Sequence, residues 1–265
     1  MRAAADGPRG SVVPALSRVE GWQLVSHPIV LTGLAFALLG CASFVRELVA
    51  GTAISWDEDG WMASVGVLML GILTMVATNH SALRDRREHT AEQHATLPVR
   101  PPVRTSGLLA ATLWPAGIAA VLVAALAAIG AAKDLAPDTV ELLHLAERVV
   151  SILLLGAIGI ALAAWAPSPF VAPVVAWFLL FMTPGEPPAA WHSLVPWQTM
   201  NSAGLATWHL MYLAGLTAAF AVLALAKTSR PRALIVPAIV SLSLVAVSAA
   251  ALFQGACPAV GRCLL

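Results

Sequence analysis

Three side chains near the middle of the chain have the types and spacing of a metal site. Glu141, His144 and Glu147 recur at every third position, so an α-helix would carry them on one face. Carboxylate and imidazole groups placed in this way bind metal ions in helical bundles. However, they fall at the predicted outer membrane edge with no second cluster of ligands, which favours an amphipathic start to a helix. We therefore assign no catalytic and no metal-binding residue, and a membrane-embedded metalloenzyme stays an alternative.

Two further patterns do not meet the requirements of the sites that they resemble. His89 and His94 flank Glu92, but they are five positions apart, whereas the two zinc-binding histidines of a metalloprotease helix are four apart. Gly66 and Gly71 have the glycine spacing of a phosphate-binding loop but lack the following Lys and Ser or Thr. The chain is therefore not expected to hydrolyse ATP or to bind a cofactor itself.

The composition predicts a membrane protein. Of 265 residues, 59% are hydrophobic and only 11% are charged, which is too few to cover a soluble globule. A net charge of +1 argues against nucleic acid as a partner. The first apolar run follows a polar stretch with three Arg and is itself followed by more such runs, as in a retained signal anchor. We expect an all-α polytopic membrane protein in a lipid bilayer, with six to seven transmembrane helices and an N-terminal interfacial helix.

The spans follow from length, because a helix crossing the hydrocarbon core needs roughly 18 to 25 residues. The predicted transmembrane domain covers residues 28–254, and residues 255–265 form a short extracytoplasmic tail. The fifth span is short and contains Pro173, but without it the basic residues would no longer sort between the two sides. The seven predicted spans are 28–45, 61–78, 107–132, 149–166, 170–183, 205–226 and 233–253.

Charge orients these spans, since Lys and Arg are retained on the cytoplasmic side. With a cytoplasmic amino terminus, eleven of the fifteen basic residues lie inside. This predicts a multi-pass protein of a bacterial cytoplasmic membrane, with its carboxyl terminus outside. Two charge pairs, Arg46-Glu47 and Glu147-Arg148, fall at outer helix ends, where we expect them to extend to the headgroups; a buried proton relay is the alternative. The eleven inner residues are Arg2, Arg9, Arg18, Arg84, Arg86, Arg87, Arg100, Arg104, Lys227, Arg230 and Arg232.

The cysteines of the predicted tail leave two alternatives open. Cys257 and Cys263 would lie in an oxidising compartment, where a disulfide between them is one alternative and two free thiols the other.

Two predicted cytoplasmic segments carry most of the remaining polar information. Residues 14–27 read PALSRVEGWQLVSH and place Val19, Trp22 and Leu24 among polar residues, as in a helix lying in the membrane interface. Residues 79–106 form a loop whose stretch 84–99 reads RDRREHTAEQHATLPV, a short charged helix with an extended end.

Together these two segments resemble the permeases of type-2, exporter-like bacterial ATP-binding-cassette transporters. The resemblance implies that residues 1–27 contain an elbow helix, with Val19, Trp22 and Leu24 among its residues. It implies a coupling helix in the loop 79–106 that docks onto a separate ATPase subunit. The implied docking residues are Arg84, Asp85, Arg86, Arg87 and Glu88.

The resemblance also implies the partners and the energy source. They are an ATPase subunit that carries the ATP and Mg²⁺, and a second permease copy or paralogue. The expected function is export or flipping of a hydrophobic or amphipathic substrate. Such permeases commonly have six spans with both termini inside, so seven spans depart from the family. An ion-coupled secondary transporter is the alternative, for which Pro173 and Pro237 are the hints of helix breaks.

Overall fold

The computed structural model describes residues 12–50, 56, 60–87, 101–182, 200, 202–229 and 231–256. This part of the chain is all-helical and contains no strand, which confirms the predicted fold class. Its helices are α1 (Val12–Val25), α2 (Pro28–Ala50), α3 (Gly60–Arg87), α4 (Pro101–Ala111), α5 (Leu113–Ala131), α6 (Thr139–Trp165), α7 (Val171–Met182), α8 (Ala203–Ala226) and α9 (Pro231–Ala256).

Six helical segments among the described residues are long and apolar enough to cross a membrane. One of them, Pro101–Ala131, joins α4 and α5 across Thr112. Pro115 lacks the N–H that would bond the carbonyl of Ala111, which accounts for the interruption at this point. The other five spans lie in α2, α3, α6, α8 and α9.

Helix α7 covers most of the predicted fifth span. Its 12 residues extend about 18 Å, whereas the hydrocarbon core is about 30 Å thick. Residues 183–199 lie outside the described residues. The crossing predicted for residues 170–183 therefore stays a prediction, and so does the side of the membrane on which α9 ends.

Helices α3 and α6 form the centre of the bundle. In its spanning window α3 is 72% buried and α6 56% buried, whereas α9 is only 11% buried and packs mainly on α8. Glycines of α6 allow neighbouring segments to approach closely, namely α3 at Gly159 and Thr112, between α4 and α5, at Gly156. A Cβ atom at Gly159 would lie 2.2 Å from the carbonyl oxygen of Met75, and one at Gly156 would lie 2.7 Å from Thr112. Small residues thus permit close helix packing at these two positions.

The bundle has two ends, named here for what lies at each. The elbow end carries α1, the last turns of α3 around Arg84, and the Lys227 that follows α8. The far end carries Trp56, whose indole N–H donates to the carbonyl of Leu135 at 3.2 Å, and Met200. Helices α6 and α8 both begin at the far end.

Candidate functional site

Helix α1 lies against the start of the third span at the elbow end. A two-residue turn at Ser26 and His27 separates it from α2, and its most extensive contacts are with α4. A Cβ atom at Gly107 would lie 3.1 Å from that of Leu16. A Cβ atom at Gly21 would lie 2.1 Å from the Trp114 ring, so Gly21 leaves room for the indole to lie on the α1 backbone. Helix α1 is therefore docked on the bundle along one face.

The three predicted elbow residues divide between the two faces of α1. Leu24 is 4% exposed and belongs to the largest apolar cluster, together with Val30 and Ala116. Val19 and Trp22 are 57% and 68% exposed. A helix that anchors one apolar side chain in the bundle and presents a Val and a Trp outward suits a position in the membrane interface, which Trp prefers.

Arg84, the first of the predicted docking residues, contacts α1. Its Nη1 donates to the side-chain oxygen of Gln23 at 2.7 Å, and its Nη2 lies 3.6 Å from a carboxylate oxygen of Glu20. Arg104 of α4 lies within the electrostatic influence of both Glu20 and Arg84. The structure thus brings together residues of α1, α3 and α4 at the elbow end.

The remaining predicted docking residues lie at the edge of what the structure describes. Asp85, Arg86 and Arg87 continue helix α3, and Glu88 lies outside the described residues. Residues 79–87 and 101–106 of the predicted loop are helical, so they extend α3 and begin α4. The 28 residues of α3 span about 42 Å, which exceeds the hydrocarbon thickness of about 30 Å. Because charged side chains avoid the hydrocarbon, we expect the charged end of α3 to extend into the polar region beyond it.

Polar side chains of α3 connect it to α6 in the bundle centre. Thr78 donates to the carbonyl of Gly156 at 3.2 Å, and the Asn79 amide donates to the carbonyl of Gly159 at 3.3 Å. Thr78 is 2% exposed and Asn79 is fully buried. These bonds hold the two central helices in one register.

A buried pair of ionisable side chains lies at the other end of the bundle. Oε1 of Glu147 on α6 is 3.0 Å from Nδ1 of His209 on α8. Glu147 is 2% exposed and His209 is fully buried. The prediction that Glu147 extends to the headgroups is therefore wrong, because α8 packs along α6 and covers the face that carries this carboxylate.

Several polar groups surround this pair. The ring of Tyr212 stacks on that of His209 with centroids 6.3 Å apart. Arg148 is partly buried and lies in the field of Glu147. Nε2 of His144 lies 3.0 Å from both the backbone nitrogen and the backbone oxygen of Met200, which fixes the approach to α8.

The metal site weighed from the sequence does not form among the described residues. Glu141 and Asp138 form a capping box at the start of α6, in which each side chain accepts the other's backbone N–H. His144 contacts Met200, and Glu147 contacts His209. The three side chains thus take separate partners, and no group of three or more His, Cys, Asp or Glu suited to a metal ion occurs in the described ranges.

His27 lies between α1 and α2 at the elbow end. Its Nδ1 accepts the backbone N–H of Ile29 at 3.3 Å, and its ring meets that of His80 edge to face. Burial lowers the pKa of His27, and the neighbouring His80 lowers it further. Both effects favour the neutral imidazole that this contact with Ile29 requires.

The cysteines of the predicted tail, Cys257 and Cys263, lie outside the described residues, so both alternatives for them stay open. Cys41 is buried in α2.

His209, Asn79 and the His144 contact with Met200 were not predicted from the sequence. Each lies in or beside an apolar run, and one signal was present: an ionisable residue inside a span is expensive and marks function. Comparison with known proteins returned no matching family model, no matching curated protein and no matching solved structure.

Proposed function

We propose that the chain is the membrane-spanning permease subunit of an ATP-binding-cassette transporter, energised by a separate ATPase subunit. Six apolar helices fit a membrane protein of the transport type. The observation that carries the finer proposal is the contact of Arg84 with Gln23 and Glu20. It joins the elbow helix to the end of the second span, directly before the segment proposed to dock onto the ATPase.

This contact gives an ATPase two routes by which to move the bundle. A displacement of the segment after α3 would act on α1 through Arg84. It would also act along α3, which is rigid because it is the most buried span and is bonded to α6 through Thr78 and Asn79. Motion generated at the elbow end would thereby reach the far end of the bundle without any catalytic group on this chain.

We propose different roles for the predicted docking residues, because Arg84 contacts α1. Because its guanidinium is engaged by α1, Arg84 is proposed to position the elbow helix. Arg86 and Arg87 continue the same helix toward residues 88–100 and are proposed to face an acidic groove on the ATPase. ATP and Mg²⁺ would bind to that subunit, and a second permease copy or paralogue would complete the pathway.

The lipid-facing helices are consistent with a hydrophobic or amphipathic substrate, exported or flipped. Helix α9 exposes a row of large apolar side chains, and α5 has a shallow apolar groove. The distribution of basic residues predicts that the elbow end, and α1 with it, lies on the cytoplasmic side, where a soluble ATPase is available.

The test reverses charge on the proposed docking residues of the full chain. In the double variant Arg86→Glu with Arg87→Glu, two attractive contacts become repulsive, a loss of about 1–2 kcal/mol. Recovery of the ATPase with the tagged chain should therefore fall about tenfold, together with the Mg-ATP hydrolysis of the purified complex. The matched control is Arg230→Glu with Arg232→Glu, which makes the same change in charge on the same predicted side of the membrane.

The two variants distinguish the loss of a docking contact from an effect of the changed net charge. Loss of the ATPase in the first variant and its retention in the control supports the proposal. Equal recovery in wild type and both variants contradicts the docking role of Arg86 and Arg87.

A further inference from the structure

Two ionisable side chains inside a membrane bundle require an explanation. Glu147 is the ninth residue of α6, about 12 Å along the helix. His209 is the seventh residue of α8, about 9 Å along it. Both helices are among the six apolar spans. A charge at such a position costs several kcal/mol, so the pair has to reduce its own net charge or serve a purpose that offsets the cost.

The geometry of the pair is that of a site for a proton. Oε1 of Glu147 and Nδ1 of His209 are 3.0 Å apart, and neither side chain has appreciable exposure. Oε1 of Glu147 accepts no aligned hydrogen bond from the described residues. A buried carboxylate oxygen left in this state is costly. A proton on the pair removes that cost, since it provides either a cationic partner or a neutral carboxyl group.

The net charge of the pair also favours a bound proton. A carboxylate beside a neutral imidazole carries a net charge of −1. Uptake of one proton makes the pair neutral, whether the proton resides on the imidazole or on the carboxyl oxygen. Arg148, in the field of Glu147, offsets the negative charge of the proton-free pair. Both states of proton occupancy are thus supported by the surrounding residues.

We propose that Glu147 and His209 together bind one proton within the membrane-spanning part of the chain, and that this proton strengthens the contact between α6 and α8. With the proton on the imidazole, the contact joins two opposite charges and is therefore stronger than the contact of a carboxylate with a neutral imidazole. By thermodynamic linkage, a conformational change that separates α6 from α8 releases the proton. The site is independent of the proposed ATPase and would act under either energy source.

The neighbouring helices contribute few other titratable groups near the pair. His144 lies one turn away on α6, and Tyr212 stacks on His209. Helix α9, packed against α8, contributes the buried but non-titratable Ser248. In the described parts of α3 and α4 the ionisable side chains lie toward the elbow end, and α5 and α7 carry none.

An apolar cluster separates the pair from the far end. Met200, Ala206 and Leu252 are buried together with Leu143 and Leu205 packed against them, one helical turn beyond Glu147 and His209. The imidazole of His144 holds Met200 in this position by contacting the backbone of Met200. Exchange of the proton with that side of the membrane therefore requires the chain at Met200 to move or α6 and α8 to separate.

The experiment is a histidine-resolved NMR titration of the full chain in lipid nanodiscs, with ¹⁵N-labelled imidazoles. The signal of His209 is identified by its loss in His209→Gln. We expect it to report uptake of one proton as the pH is lowered. In Glu147→Gln the affinity for this proton should fall about tenfold or more, because an opposite charge within hydrogen-bonding distance is removed. Glu141→Gln, which removes a carboxylate from the same helix, should leave it unchanged.

A second readout tests the link to helix packing. Amide hydrogen exchange of α8, corrected for the intrinsic rate at each pH, should show protection that falls about fivefold when the proton leaves. A wild-type His209 signal that does not change with pH would overturn the proton site, even if Glu147→Gln fails to fold. Protection of α8 that is independent of pH would overturn its link to the α6–α8 contact. Neither result depends on whether an ATPase partner exists.

Discussion

Substitution of Gly159 by Ala should destabilise the bundle more than any other single methyl addition in the central helices. A Cβ atom at this position would lie 2.2 Å from the carbonyl oxygen of Met75 and 2.3 Å from Oγ1 of Thr78. Ordinary contacts of a Cβ begin near 3.4 Å. The Met75 carbonyl belongs to the backbone of α3 and cannot rotate away, so α3 and α6 must separate by about 1 Å.

The cost follows from what this separation breaks. Overpacking of a tight helix contact costs about 1–3 kcal/mol. Hydrogen bonds of Thr78 to Gly156 and of Asn79 to Gly159 are stretched as well, at about 0.6 kcal/mol each for bonds between membrane helices. The sum is about 2–4 kcal/mol, or roughly 5–15 °C in melting temperature for a chain of this size.

The assay is thermal denaturation of the full chain in detergent, followed by size-exclusion chromatography with fluorescence detection. Gly117→Ala is the matched control, because a Cβ there has no neighbour within 4 Å and lies in helix α5. It should be neutral or slightly stabilising, since Ala favours a helix over Gly by up to about 1 kcal/mol. Equal melting temperatures for Gly159→Ala and Gly117→Ala would refute the close packing of α3 on α6.

Two further predictions concern histidines. Because the pKa of His27 is lowered by burial and by His80, the unfolded chain binds a proton at a higher pH than the folded chain does. The stability of the folded chain should therefore be undiminished above pH 6.5, the ordinary pKa of His, and should fall as the pH drops from there through the folded pKa. Thermal denaturation at pH 5 and 8 should show a smaller loss of stability in His27→Gln than in wild type. An equal loss in both would contradict this prediction. For His144→Ala, loss of the contact with Met200 should speed hydrogen exchange of the Met200 amide about tenfold, and an unchanged rate would show that the contact does not hold this segment.

The fold class could be predicted because it depends on hydropathy averaged over segments long enough to span the bilayer. Length, hydropathy and the thickness of the bilayer define a span without reference to any partner helix, and all six spans overlap apolar segments predicted from the sequence. Helix boundaries were less accurate. Asn79 marked the start of a polar loop in the sequence, yet α3 continues to Arg87, and Asn79 is fully buried because Gly159 of α6 provides a carbonyl for its amide.

The buried pair of Glu147 and His209 shows why the remaining features of the site could not be predicted from the sequence. Glu147 and Arg148 look alike in the sequence, two adjacent charges near a helix end. Which of them is buried depends on the rotation of α6 and on the position of α8, whose His209 lies 62 residues after Glu147 in the chain. His209 gives no local signal of its partner either. Such contacts between distant helices follow from packing, which hydropathy alone does not determine.

The most direct test of the proposed function is purification of the tagged full chain from its native cells in mild detergent, with mass spectrometry of the associated chains and measurement of Mg-ATP hydrolysis. We expect a stoichiometric subunit with a phosphate-binding loop and ATP turnover that is lost in the Arg86→Glu, Arg87→Glu variant. A chain that purifies alone, under conditions that preserve other membrane complexes, and that transports only along a proton or sodium gradient would contradict it.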